Sequence, residues 1–425
     1  MSAVVRQTLG NGVRAIVAPL PHLHRACICA LINVGARDEQ PHNNGISHFV
    51  EHMIFRGNSR YRSPYHLNSA VEAIGGDLYA ATHTDFTHYQ ITLPAANFHA
   101  GMEILGQTLR EPTFDNIDVE RQIVRQEILG SLDERGQDID VSNLSRELLF
   151  APHPLSFPIA GSLQTLDTFS REDLLHHHAR YYCGTNTVIC LTGAIDVNAA
   201  LGSLEEHFSG LPSGALCQRK LLPPDWRGGL WKYLPYDDSQ SDLRICFDCP
   251  GETDTRVLAL QLLSRILDDG MSTRLHRVLC EQKGLAYEVF GGLELFQECG
   301  VYDIGISVEQ SRVPAVLAAV IELIRDLRQD GLQPGELDKV KRRFLWDLES
   351  SIDYAEETAF FLSTRTLMGK TDSIDQLIKD VAKVTQQDVE ELIQCIFLRN
   401  NLHAACIGKL SAASESQAVE MLQGF

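Results

Sequence analysis

Hydrophobic positions in this chain follow two periods, and the switches between them mark out its elements. Residues 13–18 and 27–34 are short apolar runs, and residues 243–249 form a similar run in the second half. Runs of this length read as strands. Residues 78–82 and 87–93 alternate in polarity and carry Thr and Tyr, again as strands do. Val119, Ile123, Val124 and Ile128 recur instead at helical spacing and predict a helix over 117–132, with a counterpart at 336–348. Ser170-Arg171-Glu172-Asp173 reads as the cap and first turn of a further helix.

These patterns repeat. Residues 186–193 and 401–408 are each an Asn, a strand and a Gly seven positions on, offset by 215 residues. The two helical counterparts are offset by about 220. A period this long means duplicated domains rather than a solenoid. Strands followed by helical runs in each half predict an α+β fold: two duplicated domains, each a mostly antiparallel sheet with helices packed on one face. The densest Pro and Gly cluster lies between Pro212-Ser213-Gly214-Ala215 and Pro223-Pro224-Asp225-Trp226-Arg227-Gly228-Gly229. The expected division is therefore an N-terminal domain over 1–212, a linker over 213–229 and a C-terminal domain over 230–425. At 425 residues the chain exceeds what one core usually supports, which agrees with two domains.

One stretch carries the chemistry. His48-Phe49-Val50-Glu51-His52 reads H-x-x-E-H, the inverted form of the zinc-protease helix motif. Four residues apart on a helix, the two imidazoles share a face and can grip one metal. Glu51 is turned off the ligand axis and suits a general base acting on water. A catalytic zinc takes three protein ligands and keeps one position open, so a third ligand is needed. Glu127 on the 117–132 helix is the candidate. Glu120, two turns earlier on nearly the same face, either orients His52 or is a solvated helix residue; we place it in the site. The expectation is one Zn²⁺ per chain on His48, His52 and Glu127. The second half has no H-x-x-E-H; where a zinc helix would sit it has Leu262-Leu263-Ser264-Arg265-Ile266-Leu267-Asp268-Asp269-Gly270.

H-x-x-E-H followed after 74 residues by Glu127, with Glu120 seven residues earlier, resembles the pitrilysin/insulinase-type inverzincin metallopeptidases. The two-domain bacterial branch, similar to the β subunit of mitochondrial processing peptidase, is the nearest pattern. Gly45-Ile46-Ser47-His48-Phe49-Val50-Glu51-His52-Met53-Ile54-Phe55-Arg56-Gly57 resembles the family's whole zinc helix. Gly75-Gly76-Asp77-Leu78-Tyr79-Ala80-Ala81-Thr82, His153-Pro154-Leu155, Pro158-Ile159-Ala160-Gly161 and Gly284-Leu285-Ala286-Tyr287 resemble further family segments in the same order. The resemblance implies a zinc endopeptidase that takes its peptide as an added strand. It also implies an Arg and a Tyr seven residues apart that hold the substrate and its oxyanion. Tyr287 matches the Tyr, but Cys280 stands where the Arg belongs, with Arg277 one turn away. The family often has Asn-Ala in the edge strand where this chain has Tyr79-Ala80; packing across the strands is the simpler reading of Tyr79. A full zinc site with half of the partner site implies the catalytic subunit of a heterodimer, whose second subunit has the same fold and supplies the Arg–Tyr pair; a homodimer is the alternative. The rival is a noncatalytic structural subunit of the same fold.

Composition narrows the classes. A net charge of −19 argues against nucleic acid and anionic membrane surfaces as partners. No apolar run approaches the ~18 residues that span a bilayer, and the N-terminus has no signal-peptide pattern. The eleven cysteines are scattered, and Cys27, Cys29, Cys190, Cys246, Cys249 and Cys406 fall in strand-like runs where a thiol behaves as a small hydrophobe. Reduced thiols point to the cytoplasm, or to the periplasm if the N-terminus was trimmed. His176-His177-His178 cannot share a helical face and reads as part of a partly solvated helix.

Overall fold

A computed structural model of the protein describes residues 4–425. The chain forms two compact units. The first comprises residues up to Gly130, Phe157–Lys220 and Leu348–Ser373; the second comprises Ser131–Ser156, Leu221–Asp347 and Ile374–Phe425.

The first unit is built on a six-stranded sheet of β1 (Val5–Thr8), β2 (Arg14–Pro19), β3 (Arg25–Ile32), β4 (Asp77–Thr82), β5 (Thr87–Pro94) and β6 (Thr187–Gly193), in the order β1-β2-β6-β3-β5-β4. Only β2 and β6 run parallel. The second unit holds β7 (Trp231–Pro235), β8 (Gln240–Pro250), β9 (Phe290–Leu295), β10 (Cys299–Glu309) and β11 (Leu402–Gly408), in the order β7-β11-β8-β10-β9. Only β7 and β11 run parallel. Apart from β1 the two sheets have one topology, and the repeated Asn-to-Gly segments are the corresponding strands β6 and β11. The expected α+β duplication is what the chain folds into.

The division at 213–229 separates the strands of the two sheets, but two helices cross it. The Ala355–Leu367 helix, late in the chain, packs on the first sheet: Ala355, Ala359 and Leu362 bury against Ile16, Ala18, Cys27, Cys29, Leu31, Val188 and Cys190. The Thr192 hydroxyl fastens its first turn by donating to the Ala355 carbonyl at 2.7 Å. The Val141–Phe150 helix, early in the chain, packs on the second sheet: Leu144 meets Leu234, Ala405 and Ile407, while Leu149 and Phe150 meet Cys246, Phe296 and Val301. The period-two face of β3 explains why the first sheet needs such a helix. Cys27, Cys29 and Leu31 point one way and Ile28 and Ala30 the other, and all are fully buried, so both faces must be covered.

All eleven cysteines are free thiols, seven of them inside strands. The histidine tract lies on the Arg171–Tyr181 helix, with His176 exposed and His177 buried. No helix of the described residues is long and apolar enough to cross a membrane. Leu362→Ala should cost about 2–5 kcal/mol, because it removes a buried side chain from the cluster that closes the first sheet. A lowered midpoint in a thermal melt checks this, and a surface change on the same helix, Glu357→Ala, should leave the midpoint nearly unmoved.

Candidate active site

H-x-x-E-H lies on the helix Ile46–Ile54. Its apolar residues Ile46, Phe49, Val50, Met53 and Ile54 are buried, so the remaining face, with His48, Glu51 and His52, is fixed by the packing of the others. The helix starts at Gly45, which has φ +96°, a conformation that favours glycine. A Cβ there would lie 2.7 Å from the Ala160 carbonyl oxygen. Glycine offers no side chain to cap the helix, and buried Glu39 does so instead. Its carboxylate accepts from the Gly45 N–H at 2.7 Å, the Ser47 N–H at 2.8 Å and the Asn44 amide at 2.9 Å. Burial pushes Glu39 up to about 7 in spite of these three donors.

The Ile117–Gly130 helix brings the carboxylates. His48 Nε2 lies 3.4 Å from Glu127 Oε1, and His52 Nε2 lies 3.5 Å from Glu127 Oε2. These separations exceed an ordinary N–H···O hydrogen bond of about 2.9 Å. They match what one shared cation requires: two ligands ~2.0–2.1 Å from a tetrahedral zinc stand about 3.3 Å apart. His48, His52 and Glu127 are the only group of three His, Cys, Asp or Glu among the described residues whose ligand atoms all fall within 4.8 Å of one another. Two imidazoles and a carboxylate are also a donor set of catalytic zinc centres, so the residues present fit that ion.

Behind the ligands, Glu120 is buried and its Oε1 takes the His52 Nδ1–H at 2.9 Å. That bond fixes the tautomer and turns the Nε2 lone pair toward Glu127. The other oxygen, Oε2, pairs with Arg56 Nη1 at 3.2 Å. His48 has no such support among the described residues; its Nδ1 is buried and has no hydrogen-bond partner there. The electrostatics show how strongly the cluster attracts positive charge. Burial alone would lower His52, but its hydrogen bond to Glu120 and the nearby Glu127 carboxylate raise it to about 10. The close approach of His48 and His52 holds Glu127 well below the usual carboxylate range.

Glu51 is 9% exposed, and Thr82 at the end of β4 donates to its Oε2 at 3.0 Å. Nothing local in the sequence marks Thr82, Arg56 or Glu39, since their roles depend on contacts across the fold. Val119 and Ile123 also differ from expectation. Only Val124 and Ile128 of the predicted seam are buried, while Val119 and Ile123 are about half exposed, at 52% and 49%. The buried stripe includes Glu120 instead, because that carboxylate finds His52 and Arg56 as partners. Tyr79 lies on the edge strand β4, half exposed, with its ring edge-on to His88 at 5.3 Å.

Tyr287 and Cys280 belong to the second unit. Tyr287 is almost wholly exposed and lines a shallow cavity of ≈ 340 Å³ with Gln240, Glu288, Phe290 and Ser307. Cys280 lies in a π-helical turn, Arg277–Gln282, and burial raises its thiol above the ordinary value, so it stays neutral. The Arg277 charge acts on Glu336, whose main partner is Arg274.

Comparison with known proteins gives one answer. Residues 17–156 match the family described as insulinase, peptidase family M16, and residues 168–344 match the peptidase M16 inactive domain. An uncharacterized zinc protease of Mycobacterium bovis is 26% identical over 403 residues, covering 93% of this chain and 91% of that protein. One of Bacillus subtilis is 27% identical over 408 residues, covering 93% and 96%. A protease from Helicobacter pylori has the same fold, with a TM-score of 0.87 at 19% identity over 96% of this chain and 99% of that one. So does a peptidase M16 inactive domain from Pseudomonas fluorescens, with a TM-score of 0.88 at 17% identity and the same coverage.

Glu127→Gln should lose zinc most readily, because it removes the anionic ligand. Glu120→Gln should weaken zinc binding ~10- to 100-fold by loosening His52. Competition with a chromogenic chelator measures both; equal affinity in Glu127→Gln and the parent would mean the third ligand is another group.

Proposed function

The chain belongs to the insulinase family of zinc peptidases, M16, and from that premise we propose that it is a zinc-dependent endopeptidase acting on peptides or unfolded segments. The observation that carries the reading is the convergence of His48 Nε2, His52 Nε2 and both Glu127 oxygens at 3.4 and 3.5 Å, with Glu51 on the same helix. Zinc held by these three residues supplies a Lewis acid that polarises the scissile carbonyl and activates water near neutral pH. The chain's own residues do the rest. Glu120 holds His52 in its ligand orientation, with Arg56 at its far oxygen. Glu51 accepts a proton from the attacking water and returns it to the leaving amine.

Substrate binding fits the edge of the first sheet. β4 has a neighbour on one side only, so its outer N–H and C=O groups are free to pair with an extended peptide. Main-chain pairing of this kind tolerates many side chains, which suits unfolded segments. Tyr79 replaces the Asn common in the family, and its half-exposed ring offers an apolar surface on the strand's far face.

The second unit supports a division of labour. Cys280 carries a neutral thiol where the family's Arg would stand, and a thiol donates only weakly. We read the chain as the catalytic subunit of a heterodimer whose other subunit, of the same fold, brings the Arg and Tyr.

Two outcomes follow. Glu51→Gln should keep its zinc and lose ~10²-fold or more of peptide hydrolysis; normal turnover in a metal-loaded variant would remove Glu51 from the proton transfer. The isolated wild-type chain should cleave an unstructured peptide slowly, since a missing oxyanion donor costs ~10²–10³ in rate. A same-fold partner carrying the Arg–Tyr pair should restore the rate, and Cys280→Arg should restore part of it in the lone chain. Rapid cleavage by the lone wild type would defeat the heterodimer.

A further inference from the structure

Glu51 must do more than lie near the metal site: its carboxylate plane has to face the water it deprotonates. The last torsion of a glutamate is broad and roughly two-fold, so packing of the stem does not fix that plane. Among the described residues one side chain does. Thr82 Oγ1 donates to Glu51 Oε2 at 3.0 Å, and no other hydrogen bond to this carboxylate is present. Both residues are at least nine-tenths buried, so water does not compete freely for the bond. Oε1 is left available for proton transfer.

Thr82 is itself held firmly. It is the last residue of β4, paired in register with Thr87 of β5. The turn that follows is tied down: the Ala36 and Arg37 N–H groups donate to the carbonyls of His83 and Thr84, and Arg37 Nη1 meets Asp85 Oδ1 at 3.1 Å. Thr82 therefore has little freedom to follow a wandering carboxylate. It also ends the strand on which the peptide is proposed to add. The group that aims the base and the backbone that sets the register of the substrate are then the same short piece of chain.

We propose that Thr82 is a positioning residue that fixes the plane of the Glu51 carboxylate and ties its aim to the substrate-binding strand. This rests on the peptidase reading above. The test compares wild type, Thr82→Val, Thr82→Ser, Glu51→Gln and the Thr82→Val/Glu51→Gln double variant in whichever assembly gives wild-type turnover. Zinc content, thermal midpoint, kcat and KM are measured for each. Valine keeps the branched shape and the strand but loses the donor. Thr82→Val should lower kcat about 10- to 100-fold, the range for a hydrogen bond to a charged group. KM, zinc content and melting should stay near wild type. Thr82→Ser should recover most of the loss, and the Val change should have little further effect in the Glu51→Gln background. Wild-type kcat in Thr82→Val overturns the inference, as does a serine variant as slow as the valine one. A Val effect that persists in full without Glu51, or one accompanied by lost zinc or early melting, shows Thr82 acting on the fold and overturns it too. A wild type that never cleaves peptide, alone or with a partner, overturns the peptidase reading and this inference with it.

Discussion

Two imidazoles four residues apart must present their Nε2 atoms to one carboxylate on another helix, and much of the first unit is arranged to satisfy that demand. An α-helix gives the spacing but not the ring orientations. Those come from Glu120 on His52 and from the packing that buries the opposite face of the Ile46–Ile54 helix. The helix start is equally constrained. Gly45 takes a backbone conformation that excludes a side chain, and Glu39 replaces the cap that glycine cannot supply. A buried carboxylate raised to about 7 is a costly cap, yet it fixes where the helix begins and so where both histidines fall.

How much of this was legible in the sequence follows from the range of each interaction. The spacing of His48, Glu51 and His52 is local and survives translation into structure unchanged. Glu127 was legible because a third ligand was required and a helical pattern offered one. The duplicated order of strands was legible because β6 and β11 keep the same Asn-to-Gly frame. Contacts between distant segments left no such trace. Arg56, Thr82 and Glu39 are ordinary polar residues in sequence and gain meaning only from what folds beside them. Periodicity also misjudged half of the Ile117–Gly130 helix. It predicts that an apolar residue seeks the interior, whereas here Glu120 occupies the interior and Val119 and Ile123 remain outside.

The two units show how one topology carries different loads. At the place where the first unit holds its histidine helix, the second has Val257–Leu267, almost wholly apolar on its buried face and without metal ligands. Its sheet is as well packed, with Ile245, Phe247, Tyr302 and Ile304 fully or nearly buried. The shared topology therefore does not require a ligand cluster, as expected where function is placed on a fold rather than built into it.

The exchanged helices bear on how the protein is made. The first sheet has both faces apolar, and the helix that covers one of them, Ala355–Leu367, is among the later segments to be synthesised. Domains commonly complete themselves in order as they emerge from the ribosome. Here the first unit has to wait, with Cys27, Cys29 and Leu31 uncovered, while the Leu221–Asp347 stretch of the second is translated. The Val141–Phe150 helix waits in the same way for β11, the last strand of its own sheet. Neither unit can finish before a large part of the other has been made, so the nascent chain carries exposed apolar surface for most of its synthesis. Cutting the gene at the linker is therefore a poor way to obtain either unit alone.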